Sequence, residues 1–549
     1  MDLKPVRRSD FIVPRCTEAC PAGVDVPRYI RAVRDGKYDE AVAVLREKLP
    51  LPTVCADACF APCEDVCAYK QFGEPIAIRA IKRAAVDKGG DVWKKNKKVA
   101  AKTGKKVAVV GSGPAGLTVA YYLVTKGHEV TLFDAFPKPG GTMRYGIPNY
   151  RLPEERLDKD INDILEWGVT FKGDTVIGKD ITLDELKKDF DAVFVASGAN
   201  GSAKIPLEGA EKEGVLWGWD FLRDVGLGKA FDFKGDLIVV GGGNVAIDVA
   251  LTAKRMGAKN VHLFCLEKRE EMPAHEWEVA RAEEEGVLIN NSWGPKKVLG
   301  DETATGLGLI KCTSVFDKTG NFNPTYEEGV TSKVDANHII LAIGQAADLG
   351  FVEGLKNINT SGGRIAVAET DLATDEEGVF AGGDVVSGPD SIIGAMAHGR
   401  KAATAIDQYL GGDGNIDEVL AAPEEEVLLP DFVLDAKPRL DMAILKPWER
   451  ISGFDQAELG LTDEQITAES GRCLNCDARK FEVILNIEFC KECGYCAEVC
   501  GVGTFGPADF FNAKGYRPEE VKSSDWCVGC FTCYFACPDF AIDVIEVTA

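Results

Sequence analysis

Two stretches of this chain use the same device, and they constrain the fold more than any other feature. Residues 105–116 read KKVAVVGSGPAG, and residues 236–246 read DLIVVGGGNVA. Each opens on a β-branched run that predicts a buried parallel strand. In the first, Gly111, Gly113 and Gly116 follow in G-x-G-x-x-G spacing, and LTVAYYLVTKG then predicts a helix. Gly111 permits the tight turn. Gly113 lets the loop through Pro114 and Ala115 approach a pyrophosphate, and Gly116 lets the helix pack with its N-terminal amides toward the phosphates. The next strand, HEVTLF, ends at Asp134, about 20 residues on, where an acid that binds a ribose hydroxyl belongs.

The second stretch carries Gly241, Gly243 and Ala246 in G-x-G-x-x-A spacing, and the strand NVHLFCLE ends at Glu267. A carboxylate there hydrogen-bonds the adenosine ribose and repels a 2′-phosphate, which favours NAD(H). Lys268 and Arg269 follow at once and could neutralise a 2′-phosphate.

DAVFVASGA (191–199) and VDANHIILAIGQAAD (334–348) predict strands that return to a sheet. VFAGGDVVSG then sets Gly383 and Asp384 before a long helix, so the first nucleotide fold resumes after the second is complete. Two nested sites imply one bound and one exchanging cofactor. The loop FPKPGGTMRYGIPNYRLP brings Gly140 and Gly141 toward a cofactor. Arg144 and Arg151 on it are candidate phosphate or flavin contacts. Neither this loop nor the one around 380 contains C-x-x-C, which disfavours a disulfide-reductase mechanism. His398, in the last helix, is read as structural.

Eighteen cysteines are unevenly placed. Cys16, Cys20, Cys55, Cys59, Cys63 and Cys67 lie in residues 1–100, where two short amphipathic helices are expected around Asp35-Gly36. Thiolate-rich sets at these spacings suit iron and sulfide more than a zinc ribbon. Six ligands do not complete two four-thiolate clusters. Cys473 and Cys476 follow in ESGRCLNCD. Cys490, Cys493, Cys496 and Cys500 read C-x-x-C-x-x-C-x-x-x-C, and Cys527, Cys530, Cys533 and Cys537 repeat it with Pro538 after. This is the bacterial two-cluster ferredoxin spacing, in which each fourth cysteine ligates the other cluster. Cys500 is followed by Gly501 instead of proline, and the insert 501–526 is longer than a minimal ferredoxin needs. Cys265 and Cys312 are read as buried strand residues.

A net charge of -24 argues against nucleic acid and anionic membrane surfaces. No apolar run is long enough to span a bilayer. The Arg7-Arg8 pair has no apolar stretch behind it, so a cytoplasmic location is expected. Residues 91–106 read as a solvated basic linker, and residues 411–470 as an acidic connector crossing the surface.

The double fingerprint, GGTMRYGIPNYRLP, GGGNVAID, REEMPA (269–274) and FAGGD together resemble the small subunit of glutamate synthase and the flavin half of dihydropyrimidine dehydrogenase. The resemblance covers residues 1 to about 412. It implies FAD in the first fold, with contacts near Gly111, Gly113, Gly116, Asp134, Gly141, Arg144 and Asp384. It implies NAD(H) or NADP(H) in the second, near Gly241, Gly243, Asn244, Ala246 and Glu267. NADPH-using members carry an Arg pair where this chain has Leu266 and Glu267. The family's first C-x-x-C is missing ahead of Cys16, and Cys473 and Cys476 look like that piece moved downstream. The family's ligation would then give one cluster to Cys16, Cys67, Cys473 and Cys476, and another to Cys20, Cys55, Cys59 and Cys63. With the ferredoxin unit, four 4Fe-4S clusters are expected. The whole most resembles the beta subunits of NAD(P)H–iron(III) oxidoreductases.

The expected architecture is α/β: two nested Rossmann-like domains, a helical iron–sulfur domain ahead of them, and an α+β bacterial-type ferredoxin domain behind. The expected boundaries are 1–100 (iron–sulfur), 101–220 plus 350–412 (FAD), 221–349 (NAD(P)), 413–480 (connector) and 481–549 (ferredoxin). The expected function is electron transfer between NADH, preferred over NADPH, and a protein or ferric acceptor through FAD and clusters. The expected partner is a redox subunit or a ferredoxin within a hetero-oligomer. An NADPH-dependent glutamate synthase small subunit and a non-catalytic electron relay are the alternatives.

Overall fold

The computed structural model describes residues 4–7, 11–233, 235–352, 357–429 and 436–547. Arg8 of the N-terminal arginine pair lies outside them. The chain divides into two compact units.

One unit comprises residues 99–416 and 444–459. It holds two five-stranded parallel sheets built to one plan. In the first the strand order is Val379–Ala381, Ala192–Val195, Lys106–Val110, Glu129–Phe133, Thr170–Lys172. In the second it is Val287–Asn291, Asn260–Cys265, Asp236–Val240, His338–Leu341, Val215–Trp217. Each fingerprint strand is central, with helices on its faces, so its β-branched side chains are buried on both sides. The nesting is explicit in the order: Val379–Ala381 enters the first sheet after the second is closed. Val215–Trp217 belongs to the second sheet although it lies ahead of residue 221, where the sequence puts the boundary. Its three residues are too few to carry a readable period.

A three-stranded antiparallel sheet, Trp293–Leu299, Gly306–Phe316 and Phe322–Asp335, is inserted in the second fold. Cys265 and Cys312 are buried strand residues, as expected. Helix Pro114–Thr125 packs on helix Ile392–Tyr409. The approach is close enough that a Cβ at Gly399 would meet the Ala115 carbonyl at 2.6 Å.

The other unit comprises residues 1–98, 417–443 and 460–549. The two helices expected around Asp35-Gly36 are Val26–Arg34 and Tyr38–Arg46, joined by Pro52–Ala58 and Ile78–Lys88. The ferredoxin segment pairs Phe481–Leu485 with Ile542–Glu546 and sets the short helices Tyr495–Glu498 and Thr532–Ala536 within the two cysteine runs. The long insert forms a hairpin, Phe505–Pro507 with Glu519–Val521.

Two readings change. The basic linker is not simply solvated: Trp93 is fully buried under the Arg46 guanidinium, 4.7 Å from its ring, and Lys97 is buried against Glu418. Burial lowers the Lys97 ammonium to about 8. The acidic connector is not only surface chain either. Glu426–Leu429 pairs antiparallel with Lys4–Arg7, and Asp463–Ser470 is a helix capped by the Thr462 hydroxyl with Ile466, Glu469 and Ser470 buried. Alternation and caps of this kind are locally weak signals, and long-range pairing decides them.

Candidate functional site

The first fingerprint forms a cradle of bare backbone. Cβ atoms at Gly111 and Gly116 would collide with the Ala196 and Gly111 carbonyls, so both positions require glycine. A Cβ at Gly113 would meet nothing within 4 Å, which leaves its amide open at the helix N-terminus. Gly141, at φ 52°, presses to within 2.8 Å of the Gly113 Cα by the same measure, so the 140s loop roofs the cradle. The Gly140 amide donates to the Ser112 carbonyl at 3.0 Å. Opposite, Gly383 stands beside Ala115, its amide donating to His398 Nδ1 at 3.1 Å. Burial keeps His398 below its ordinary value, so the ring is a neutral acceptor that shapes the turn.

Asp134 stands at the end of the second strand and is 7 % exposed. Its carboxylate accepts from the Ser112 amide at 2.7 Å, from the Ser112 hydroxyl, and from the Phe136 amide at 2.9 Å. Burial nevertheless raises it above the ordinary aspartate value. Burial and Asp390 lift Asp384 to about 6.

Two arginines of the FPKPGGTMRYGIPNYRLP loop are held by carboxylates of the protein itself. Arg144 donates to the Pro139 carbonyl at 2.7 Å, to Glu154 at 2.8 Å and to Asp158, so its guanidinium ties the loop to helix Glu154–Leu165. Arg151 is held by Asp248 at 2.7 Å and Glu278 at 3.0 Å. It therefore links the loop to helix Asn244–Arg255 of the second fold. Sequence spacing does not reveal such partners, whether near in the chain, as for Arg144, or about a hundred residues away, as for Arg151.

In the second fingerprint a Cβ at Gly241 would strike the Ala342 carbonyl, while Gly243 has only Pro273 near, at 3.9 Å. Ala246 is buried where its helix meets the sheet. The Asn244 side-chain oxygen accepts from the His275 amide at 2.9 Å, and the Ala274 amide donates to the Gly242 carbonyl at 3.1 Å. The REEMPA segment is thereby fixed against the loop. The Glu267 carboxylate lies directly over Gly242, and burial raises it above the ordinary glutamate value. Lys268 pairs with Glu271 at 3.4 Å, and Arg269 with Glu276 and Glu283 at 3.0 and 3.1 Å.

All eighteen cysteines are free thiols. Cys16, Cys67, Cys473 and Cys476 line a single cavity. Burial raises Cys16, with Cys476, Cys473 and Cys67 the strongest charges on it. Cys59, Cys55, Cys63 and Cys20 are, in that order, the charges that act most on Lys82, a 5 % exposed ammonium on helix Ile78–Lys88. In the ferredoxin segment, Cys500, Cys527, Cys530 and Cys533 line one cavity, so Cys500 stands with the second run. Cys496 faces Cys490 and Cys493. Burial pushes Cys496 and Cys533 up to about 12 and Cys527 and Cys473 to about 11, so these thiols ionise only with cations to compensate them. Among the described residues no three such groups are set for a single ion. A four-iron cube takes its thiolates at four separate corners, and the donor chemistry of these sets fits it.

The RCLNC segment is anchored by residues that the sequence reading missed. Arg31 pairs with Asp477 at 2.7 Å and Glu424 at 2.6 Å, and Arg472 with Glu469 at 2.5 Å. Glu469 also accepts the Ala77 amide at 2.8 Å. The signal was only the charge of SGRCLNCDARK.

These features define a two-dinucleotide oxidoreductase with iron–sulfur chemistry attached, and the comparisons with known proteins agree. Residues 105–399 match the pyridine nucleotide-disulphide oxidoreductase family, and residues 9–92 match dihydropyrimidine dehydrogenase domain II, 4Fe-4S cluster. The chain belongs to the pyridine nucleotide-disulphide oxidoreductase family, binds FAD and NAD(P), and carries a 4Fe-4S domain.

The NADP(+)-dependent formate dehydrogenase subunit beta of Moorella thermoacetica is 36% identical over 505 residues, 85% of this chain and 71% of that one. The NADPH-Fe(3+) oxidoreductase subunit beta of Geobacter sulfurreducens is 36% identical over 511 residues, 84% of this chain and 75% of that one. FprA, a Mycobacterium tuberculosis oxidoreductase, shares the fold at 17% identity and TM-score 0.50, over 56% of this chain and 85% of that one. No helix among the described residues is long and apolar enough to cross a membrane.

Proposed function

We propose that this chain is the NADH-oxidising subunit of a larger redox assembly, passing electrons through FAD and four 4Fe-4S clusters to a partner subunit, a ferredoxin or ferric iron. The observation that supports the reading is that one unit holds two open phosphate loops and the other holds three converging four-thiol sets, with Cys496 facing Cys490 and Cys493 besides. FAD, when bound, takes up a hydride and gives up its two electrons singly. The chain's own residues position it. Gly113 and the helix Pro114–Thr125 would present amides to its pyrophosphate, Gly141 would close over it, and Asp134 and Asp384 would stand near its hydroxyls. Gly243 and Asn244 play the corresponding part for the nicotinamide cofactor. No side chain has to move a proton, so none is assigned as an acid or base.

Glu267 supports NADH over NADPH, because a half-buried carboxylate over the loop disfavours a 2′-phosphate and Lys268 and Arg269 are occupied by glutamates. The printed names of the two beta-subunit relatives favour NADP(H) instead and give the second reading. Mixing the holoprotein anaerobically with each nucleotide and a one-electron dye decides between them. Dye reduction with NADH well above that with NADPH is expected. No reduction with either sinks the proposal.

A further inference from the structure

The cavity formed by Cys16, Cys67, Cys473 and Cys476 has a wall that belongs to the ferredoxin segment, made of Asp525, Trp526, Cys527 and Val528. Cys527 and Val528 also line the cavity of Cys500, Cys530 and Cys533. One thiol and its neighbour are thus the shared partition between two thiol sets from opposite ends of the chain. The partition is held in place. The Arg15 guanidinium lies 5.6 Å from the Trp526 ring and donates to the Gly501 carbonyl at 3.2 Å. Gln71 lines the second cavity and its amide fills the space where a Cβ at residue 501 would sit. This explains why glycine follows Cys500 where the ferredoxin pattern has proline.

We propose that electrons enter the ferredoxin segment at this partition. The cluster at Cys16, Cys67, Cys473 and Cys476 gives its electron to the cluster at Cys500, Cys527, Cys530 and Cys533, with Arg15 and Trp526 as positioning residues that set the gap. One electron leaves the reduced cube and reduces the oxidised one. No bond forms or breaks and no proton moves. The cluster of the Cys490 run is then the later one. Sequence order alone suggests the reverse, since the Cys490 run lies nearer to Cys476. The proposal rests on the function proposed above for the source of the electrons, but the contact itself does not.

The test uses the reconstituted full chain and electron paramagnetic resonance after dithionite reduction. Magnetic coupling between the two cubes is expected in the native chain. It should disappear in Cys473→Ala/Cys476→Ala, whose remaining ferredoxin signals show that this segment is still folded. Trp526→Ala, with its iron content unchanged, should weaken the coupling and Trp526→Phe should keep it. In the double cysteine variant NADH should still bleach the flavin but no longer reduce the ferredoxin clusters. Uncoupled spectra in the native chain, or ferredoxin clusters that NADH fills as fast in the double variant, would overturn the proposal. A native flavin that NADH does not bleach would instead count against the proposed function, and the dithionite spectra would still decide the partition.

Discussion

The two nucleotide folds share one strand plan and one glycine loop, but they use the acid at the end of the second strand differently. Asp134 is buried and accepts from three protein donors, the Ser112 amide, the Ser112 hydroxyl and the Phe136 amide. Glu267 leans over Gly242 at the edge of its loop and is only partly buried. One acid is built into the cradle, as a site for a resident cofactor needs. The other stands over its loop, where the proposed function puts the exchanging nicotinamide cofactor. An acid locked by its own loop keeps that loop formed when the site is empty, whereas the Glu267 carboxylate meets the end of its own strand, at the Cys265 thiol and the Leu266 and Glu267 backbone.

Asp134→Ala should show the largest effect. It strands three donors, each worth about 1–3 kcal/mol when buried without a partner. The melting temperature should drop and FAD should be lost on desalting. Glu267→Ala should leave both unchanged and raise only the KM for NADH. The reverse pattern would erase the distinction between the two folds.

Arg151→Ala breaks the ion pair that joins the first fold's loop to the second fold's helix and leaves the buried Asp248 carboxylate without its paired guanidinium, with the Tyr150 hydroxyl still donating to it. Breaking a buried pair in this way destabilises by about 3–5 kcal/mol, which denaturant unfolding would register. A loss below about 1 kcal/mol, the range of exposed pairs, would mean that the two folds are not coupled there.

Glu267→Arg should swing the NADH to NADPH preference by about tenfold or more, on the order of 1.4 kcal/mol. An unchanged ratio of kcat/KM values would remove Glu267 from the role of discriminator.

Asp384 gives a smaller, pH-dependent effect. Its native value near 6 exceeds the ordinary 3.8, so between these values the folded apoprotein holds a proton that the unfolded chain has lost. Stability should therefore fall as pH rises from about 4 to 6 and stay lower above, by at most about 3 kcal/mol. Asp384→Asn should flatten that slope, stabilise the apoprotein at pH 7 and weaken FAD retention. Melting curves of the apoprotein at several pH values would check it. A slope unchanged by Asp384→Asn would show that another group titrates there.

Much of this molecule is legible in its sequence because the relevant signals are local. Gly111–Gly116 and Gly241–Ala246 carry their own strand, turn and helix, and the runs at Cys490 and Cys527 fix their pairing by spacing. What was not legible depends on partners that no local pattern names. Arg144 and Arg151 look like phosphate ligands until Glu154, Asp158, Asp248 and Glu278 are seen to hold them. Lys97 looks like solvated linker until Glu418 covers it. The strand Val215–Trp217 is too short to announce which sheet it joins. Lys82 gave no sign of itself, because its helix position becomes meaningful only when Cys20, Cys55, Cys59 and Cys63 close around it.

The central claim is that one flavin is wired to four clusters, one of them completed by cysteines from opposite ends of the chain. Iron and flavin counted on the anaerobically reconstituted protein test it most directly. The account predicts sixteen irons and one FAD per chain, four irons for each cluster. Eight irons per chain would contradict it.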